Sequence, residues 1–312
     1  MFGFAVLAKG LVPLALAAPL VLGRHPRDWL RWRVVLPFFV VALPWYALCY
    51  WRNGWAFIHE FFVVQHFSRV TSGALMHGQP VWFYLPILLA GLLPWTPLLG
   101  LIARRRVYRD RQRVFLGVWV LVVLVLFSLP VNKVPGYILP LLPAAAALMA
   151  LALDEAVDAR VWLAACGALL VAFPITAQVL PAAVLNGLSR APRPVFQVVW
   201  LAAAAVALLA GLLETRGKRV AAVLAVAAGA AVGIAALKTV ATPELDRNVS
   251  ARGLWREIGG RAGEVCIGNV KRDWKYGLNY YSATPLPDCD QQPKALQLLP
   301  APGGRVYLQP AP

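Results

Sequence analysis

Charge is scarce in this sequence. Only 14% of its 312 residues are Asp, Glu, Lys or Arg, and just 14 residues are acidic. A soluble domain is typically about a quarter charged, so an ordinary water-soluble fold is excluded at the outset. Cysteine, methionine and histidine are also sparse, at four, three and four residues. The cysteines (Cys49, Cys166, Cys266 and Cys289) form no CxxC or Cys/His pattern, which removes zinc ribbons and related metal sites. No basic stretch precedes the first apolar run, so no cleavable signal peptide is expected.

Apolar residues make up 60% of the chain, aromatic residues 11%, and the mean hydropathy is +0.65. That much hydrophobic material excludes disorder and leaves a multi-pass membrane protein. The net charge of +16 then has two readings, nucleic-acid binding or basic cytoplasmic loops, and they differ in where the charges fall.

Eight apolar stretches are long enough to be candidate spans: 2–22, 34–51, 81–103, 114–131, 137–153, 161–181, 195–213 and 220–240. The fourth and fifth are joined only by NKVPG amid prolines, which predicts a tight, irregular hairpin able to line a cavity. Loops 23–33, 104–113, 154–160 and 214–219 hold fourteen Lys/Arg, against five in loops 52–80, 132–136 and 182–194. The positive-inside rule places the first set in the cytoplasm. Charge that follows loop parity argues against nucleic acid. The same parity places residues 241–312 outside, as a small α/β domain behind a 1–240 membrane core. Met1 also falls outside, with a span starting at residue 2, so the chain is expected to begin inside a larger protein.

In the tail, 250–261 reads as a short helix with Ser250 as N-cap. GEVCIGNV (263–270), YGLNYYSA (276–283) and RVYLQ (305–309) read as strands. Cys266 and Cys289 share the oxidising side, as a disulfide or as two buried thiols. Cys49 and Cys166 read as plain residues of the spans.

Loop 52–80 concentrates His59, His66 and His77 with Glu60, Gln65, Arg69 and Gln79. His59 and His66 are seven apart and share a helix face, with Arg69 close to it. Phe57, Phe61, Phe62 and Phe67 form an apolar side. This is an amphipathic helix at the outer interface, serving either chemistry or anchoring. The histidine spacing matches no ligand motif; no cofactor is called for, and a divalent metal is left open. Lys9 lies inside the first span, where a lysine marks a functional site or snorkels to the surface. Lys133 and Tyr137 of the hairpin face the same outer side. Together Lys9, Arg69, Lys133 and Tyr137 are candidates to grip a lipid phosphate through ammonium, guanidinium and phenol donors.

Lys9-Gly10 in the first span, the block FxxEFFxxxHFxRxxSGAxxHGQPxWFYLPxLLAGLLPW over 57–95, and SLPVNKVPGYILPLLP from residue 128 resemble one known family. It is the bacterial protein O-mannosyltransferase and lipid A aminoarabinose transferase superfamily, the GT-C glycosyltransferases. The resemblance is close over 3–150 and extends to 161–312 only in layout. It implies an all-α multi-pass membrane protein with a small C-terminal α/β extracytoplasmic domain, in the bacterial inner membrane with that domain on the periplasmic side. It implies transfer of a sugar from a polyprenyl-phosphate donor to a lipid, glycan or protein acceptor. Lys9, His66, Arg69 and Tyr137 occupy the positions that line the family's carrier-phosphate cavity.

The chain departs from the family in one respect. The family's catalytic aspartate lies several spans before the lysine, and this sequence starts after that point. Of the fourteen carboxylates, only Glu60 falls in an outer loop of the membrane core. Glu60, with His66 beside it, is therefore the resident candidate for a general base. The expectation is that the base lies in a missing N-terminal part, so that the chain alone binds the donor and transfers the sugar poorly. The alternative is a non-catalytic polyprenyl-phosphate-binding or transport protein, for which paired repeats would be characteristic; none is visible.

Overall fold

The computed structural model describes residues 2–23, 31–68, 78–301 and 305–311. They form two compact units, 1–162 and 163–312.

In the first unit, the run 2–22 is two helices, α1 (Phe2–Lys9) and α2 (Val12–Gly23). The break falls at Gly10, which adopts φ 62° while its N–H closes the last turn of α1 on the Val6 carbonyl. A glycine in the left-handed region followed by a proline, here Pro13, is a common way to end a helix. Helix α3 (Trp32–Ile58) exposes Phe39, Val40, Leu43 and Trp45, the pattern of a lipid-facing surface. Gly54 interrupts α3 with φ 57°, ψ −143°, and the chain continues as a π-helix over His59–Ser68.

The run 81–103 is also broken. A 3₁₀ turn leads into α4 (Tyr84–Gly91), and a second 3₁₀ turn leads into α5 (Leu99–Ile102), with a bend of 119° between the two halves around Pro94. Helix α6 (Arg111–Ser128) starts at Asp110, whose carboxylate accepts the Arg113 N–H. A 3₁₀ segment, Pro135–Leu141, opens α7 (Leu142–Asp154). At one end α6 and α7 are joined by the Arg113–Glu155 ion pair; farther along, Trp119 Nε1 donates to the Pro140 carbonyl at 3.0 Å.

In the second unit lie α8 (Arg160–Ala168, entered from the first), α9 (Ala172–Asn186), α10 (Trp200–Thr215) and α11 (Arg219–Val249). A Cβ on Gly167 would meet Ala207 backbone at 2.6 Å, so α8 and α10 touch through their main chains. The short turn between α10 and α11 is fastened by Arg219 and the buried Glu214 at 2.6 Å.

Among the described residues, five helical stretches are long and apolar enough to cross a membrane. A sixth is added if the bent pair counts as one span, and Trp200–Thr215 is a shorter apolar helix. Each of the eight expected stretches is helical, but the first and third are broken and the seventh is short.

Helix α11 runs through position 240 without a break and hands over to a small module. Ser250 caps α12 (Ala251–Ile258), its hydroxyl accepting the Arg252 N–H as the sequence predicts. Strand β1 (Val265–Ile267) pairs in parallel with β2 (Leu296–Pro300), and β2 pairs antiparallel with β3 (Val306–Pro310). The crossover between β1 and β2 carries α13 (Arg272–Tyr281). The expected strand over 276–283 is thus corrected to a helix, because Trp274 and Leu278, four apart, both point into the core. That core is built on Ile258, Val265, Ile267, Trp274, Leu278 and Leu298. Cys266 and Cys289 form a disulfide with a Cα–Cα distance of 4.9 Å, and the Cys289 N–H donates to the Ile267 carbonyl beside it.

Candidate functional site

The site candidates occupy two local settings within the first unit. The first is the end of α1. Lys9 is its last residue and is exposed. It therefore stands at a helix C-terminus, where a cation faces the negative end of the helix dipole, rather than in the middle of a continuous span. One turn earlier, the Val6 carbonyl accepts the Tyr46 hydroxyl of α3 at 2.8 Å. The Tyr46 ring packs in turn against Phe57, Phe61 and Phe62, with centroids 6.2, 5.5 and 6.1 Å away. The break at Gly54 is what lets this segment fold back onto α3. His59 and Glu60 open the π-helix, both exposed, on the same aromatic scaffold. His66 lies in the π-helix, with its side chain outside the described residues; Arg69 and His77 lie outside them altogether.

The second setting is the Pro130–Tyr137 hairpin. Lys133 is 4% exposed, and its ammonium donates to the Gln79 carbonyl at 2.9 Å and the Pro130 carbonyl at 2.6 Å. Burying a charge is costly unless it is hydrogen-bonded, and bonds to a charged group contribute roughly 1.5–3 kcal/mol each. The Gln79 N–H donates to the Val131 carbonyl at 3.1 Å, and Gly78 and Asn132 form an antiparallel bridge. The fully buried Tyr84 donates its hydroxyl to the Val134 carbonyl at 3.1 Å. Tyr137 is half-buried, its ring 5.3 Å from Phe127 of α6. Two expected site residues, Lys133 and Tyr137, are thus brought onto one small, tightly bonded element.

Tyr46, Gln79 and Tyr84 hold these settings together and were not singled out for that role by the sequence. The available signal was a phenol inside an apolar run, since a buried hydroxyl needs a partner. No group of three or more His, Cys, Asp or Glu side chains could hold a metal ion among the described residues.

No protein-family model matches the chain. Among curated proteins it is 36% identical over 169 residues to the undecaprenyl phosphate-alpha-4-amino-4-deoxy-L-arabinose arabinosyl transferase of Pseudomonas aeruginosa (strain UCBPP-PA14), covering 49% of this chain and 29% of that protein. It is 38% identical over 164 residues to the transferase of the same name from Enterobacter sp. (strain 638), covering 47% of this chain and 28% of the relative. The match therefore spans less than a third of these relatives' length. Among solved structures, ArnT from Cupriavidus metallidurans bound to undecaprenyl phosphate superposes with a TM-score of 0.70 at 25% identity, covering 98% of this chain and 66% of ArnT. Its apo state gives 0.62 over the same coverage. Nearly the whole chain thus has the GT-C membrane fold of ArnT, with a small sheet-bearing module at its C-terminal end.

Proposed function

We propose that this chain is part of a membrane glycosyltransferase that takes a sugar from a polyprenyl-phosphate donor and passes it to a lipid, glycan or protein acceptor at the outer face of the bacterial inner membrane. The observation that carries this reading is the likeness, over 98% of the chain, to an enzyme structure holding undecaprenyl phosphate.

In this reading Lys9, Arg69 and Tyr137 donate to the carrier phosphate. The acceptor O–H attacks the anomeric carbon, the bond from that carbon to the phosphate oxygen breaks, and the polyprenyl phosphate leaves with the electron pair. Cationic donors stabilise the charge that grows on the departing phosphate. The acceptor's proton goes to a general base, for which Glu60 is the resident candidate in this chain and His66 the second. Residues 1–240 form the membrane core and residues 241–312 a periplasmic domain. The charge asymmetry of the loops supports that orientation, as does the Cys266–Cys289 disulfide, since such bonds persist in oxidising compartments.

The test is binding of undecaprenyl phosphate to the purified chain, in wild type and in Lys9→Ala. Loss of one charge-assisted bond is expected to weaken binding by roughly 1.5–3 kcal/mol. Wild-type protein that fails to bind, or binding unchanged in both Lys9→Ala and Arg69→Ala, refutes the phosphate site.

A further inference from the structure

We infer that Lys133 is a positioning residue, whose ammonium fastens the Pro130–Tyr137 hairpin to the Gly78–Tyr84 segment and so fixes where Tyr137 presents its hydroxyl. The role toward a lipid phosphate rests on the function proposed above; the fastening does not. The Lys133 side chain is almost completely buried and reaches across to two carbonyls, one on each side of the junction. A lysine has three N–H donors, so at least two are committed to main chain. A side chain placed to grip a ligand from solvent would keep its donors free and its ammonium accessible, and this one is enclosed.

Lys133 does not act alone at the junction. The Gly78–Asn132 bridge, the Gln79 N–H to Val131 and the Tyr84 hydroxyl to Val134 all cross it. Those three are neutral contacts, and the ammonium's bond to the Gln79 carbonyl is the charge-assisted one. The acceptors are main-chain oxygens, so the contact fixes backbone against backbone. Tyr137 follows within the same hairpin, its N–H bonded to the Val134 carbonyl. Whatever holds Val134 therefore holds the start of the Tyr137 turn. A misplacement of a donor by about 1 Å is enough to lose much of its effect on a bound group.

The experiment uses the full chain with Cys49 and Cys166 replaced, and measures two things: hydrogen exchange in peptides covering 78–84, and affinity for undecaprenyl phosphate. Lys133→Met is expected to speed exchange there about tenfold and to weaken affinity about tenfold, the factor that follows from losing roughly one charge-assisted bond. In the same background, a disulfide between Gly78→Cys and Asn132→Cys replaces the fastening covalently and is expected to restore both. Unchanged exchange in Lys133→Met overturns the fastening. Exchange restored by the cross-link while affinity stays low overturns the positioning role, because Lys133 would then touch the phosphate itself. If wild type binds no undecaprenyl phosphate, the proposed function fails and exchange alone still decides the fastening. Should Lys133→Met not fold, Lys133→Gln, which keeps an amide donor, is read in the same two assays.

Discussion

The Tyr46 hydroxyl donates to the carbonyl of Val6 at 2.8 Å, tying together two helices forty residues apart in the chain. Val6 also accepts the Gly10 N–H at 2.8 Å, so this one oxygen both closes the last turn of α1 and docks it on α3. Lys9 leaves the helix within that same turn. Its placement therefore depends on a phenol whose hydroxyl is committed to main chain.

Tyr46→Phe is expected to lower stability only modestly. The Val6 carbonyl keeps its bond to Gly10, so no acceptor is stranded, and the loss should be about 0.5–1.5 kcal/mol. Thermal unfolding in detergent measures it. Affinity for undecaprenyl phosphate should fall by less than in Lys9→Ala, because the cation remains and only its support is loosened. An affinity loss in Tyr46→Phe as large as in Lys9→Ala would show that the ring, not the lysine, meets the lipid.

The topology prediction rests on fourteen basic residues in one set of loops against five in the alternate set. A single cysteine at Gln292, in a background where Cys49 and Cys166 are replaced, should react with a membrane-impermeant thiol reagent added from outside. One at Gln112, beside the N-terminus of α6, should not. The opposite pattern would invert the orientation and remove the outer-face chemistry with it.

In the C-terminal module the disulfide joins residues 23 positions apart, and Cys266 is buried in strand β1. Chain-entropy arguments give about 3 kcal/mol for a loop of that order. Replacing Cys266 and Cys289 together by Ala should therefore lower the unfolding free energy of the module by about that much, read as earlier protease cleavage within 251–311. Helices α6 and α7, in the other unit, should keep their protection.

Much of the fold was legible because a lipid-spanning sequence has few ways to satisfy its backbone. The apolar runs marked the helices, and Ser250 marked a helix start by ordinary capping chemistry. The breaks were harder. Lys9-Gly10 with Pro13 close behind carries the usual signature of a helix end, yet it is overridden on a hydropathy scale by the apolar residues on either side. The π-helix at His59–Ser68 has no comparable sequence signature. In the tail, the tyrosines of YGLNYYSA favour a strand by propensity, but Trp274, just outside that window, sets a helical spacing with Leu278 that decides the outcome. Strand β2, with Leu296 and Leu298 on alternate positions, was missed among the prolines around it. For the site, residue types and order pointed to Lys9, Lys133 and Tyr137. What Lys133 bonds could not be read, because its acceptors are main-chain oxygens that any residue could supply.

The last prediction concerns proton transfer. By the charge parity of the loops, Glu60 is the one carboxylate expected in an outer loop of the membrane core, and it is exposed at the start of the π-helix rather than enclosed among apolar groups. An exposed carboxylate can accept a proton from an acceptor hydroxyl only if that hydroxyl is brought within hydrogen-bond reach, which the phosphate donors would do by fixing the sugar. Glu60→Gln keeps the size of the side chain and removes its basicity. In a donor-consumption assay the chain alone is expected to turn over poorly, and Glu60→Gln to leave undecaprenyl phosphate affinity unchanged; a fall in turnover of about 10²–10⁴-fold, the usual worth of a general base, would place the base on Glu60. His66→Asn in the same assay separates the two candidates: the base is the residue whose loss removes turnover without weakening binding. Turnover that survives both substitutions would place the base on neither residue.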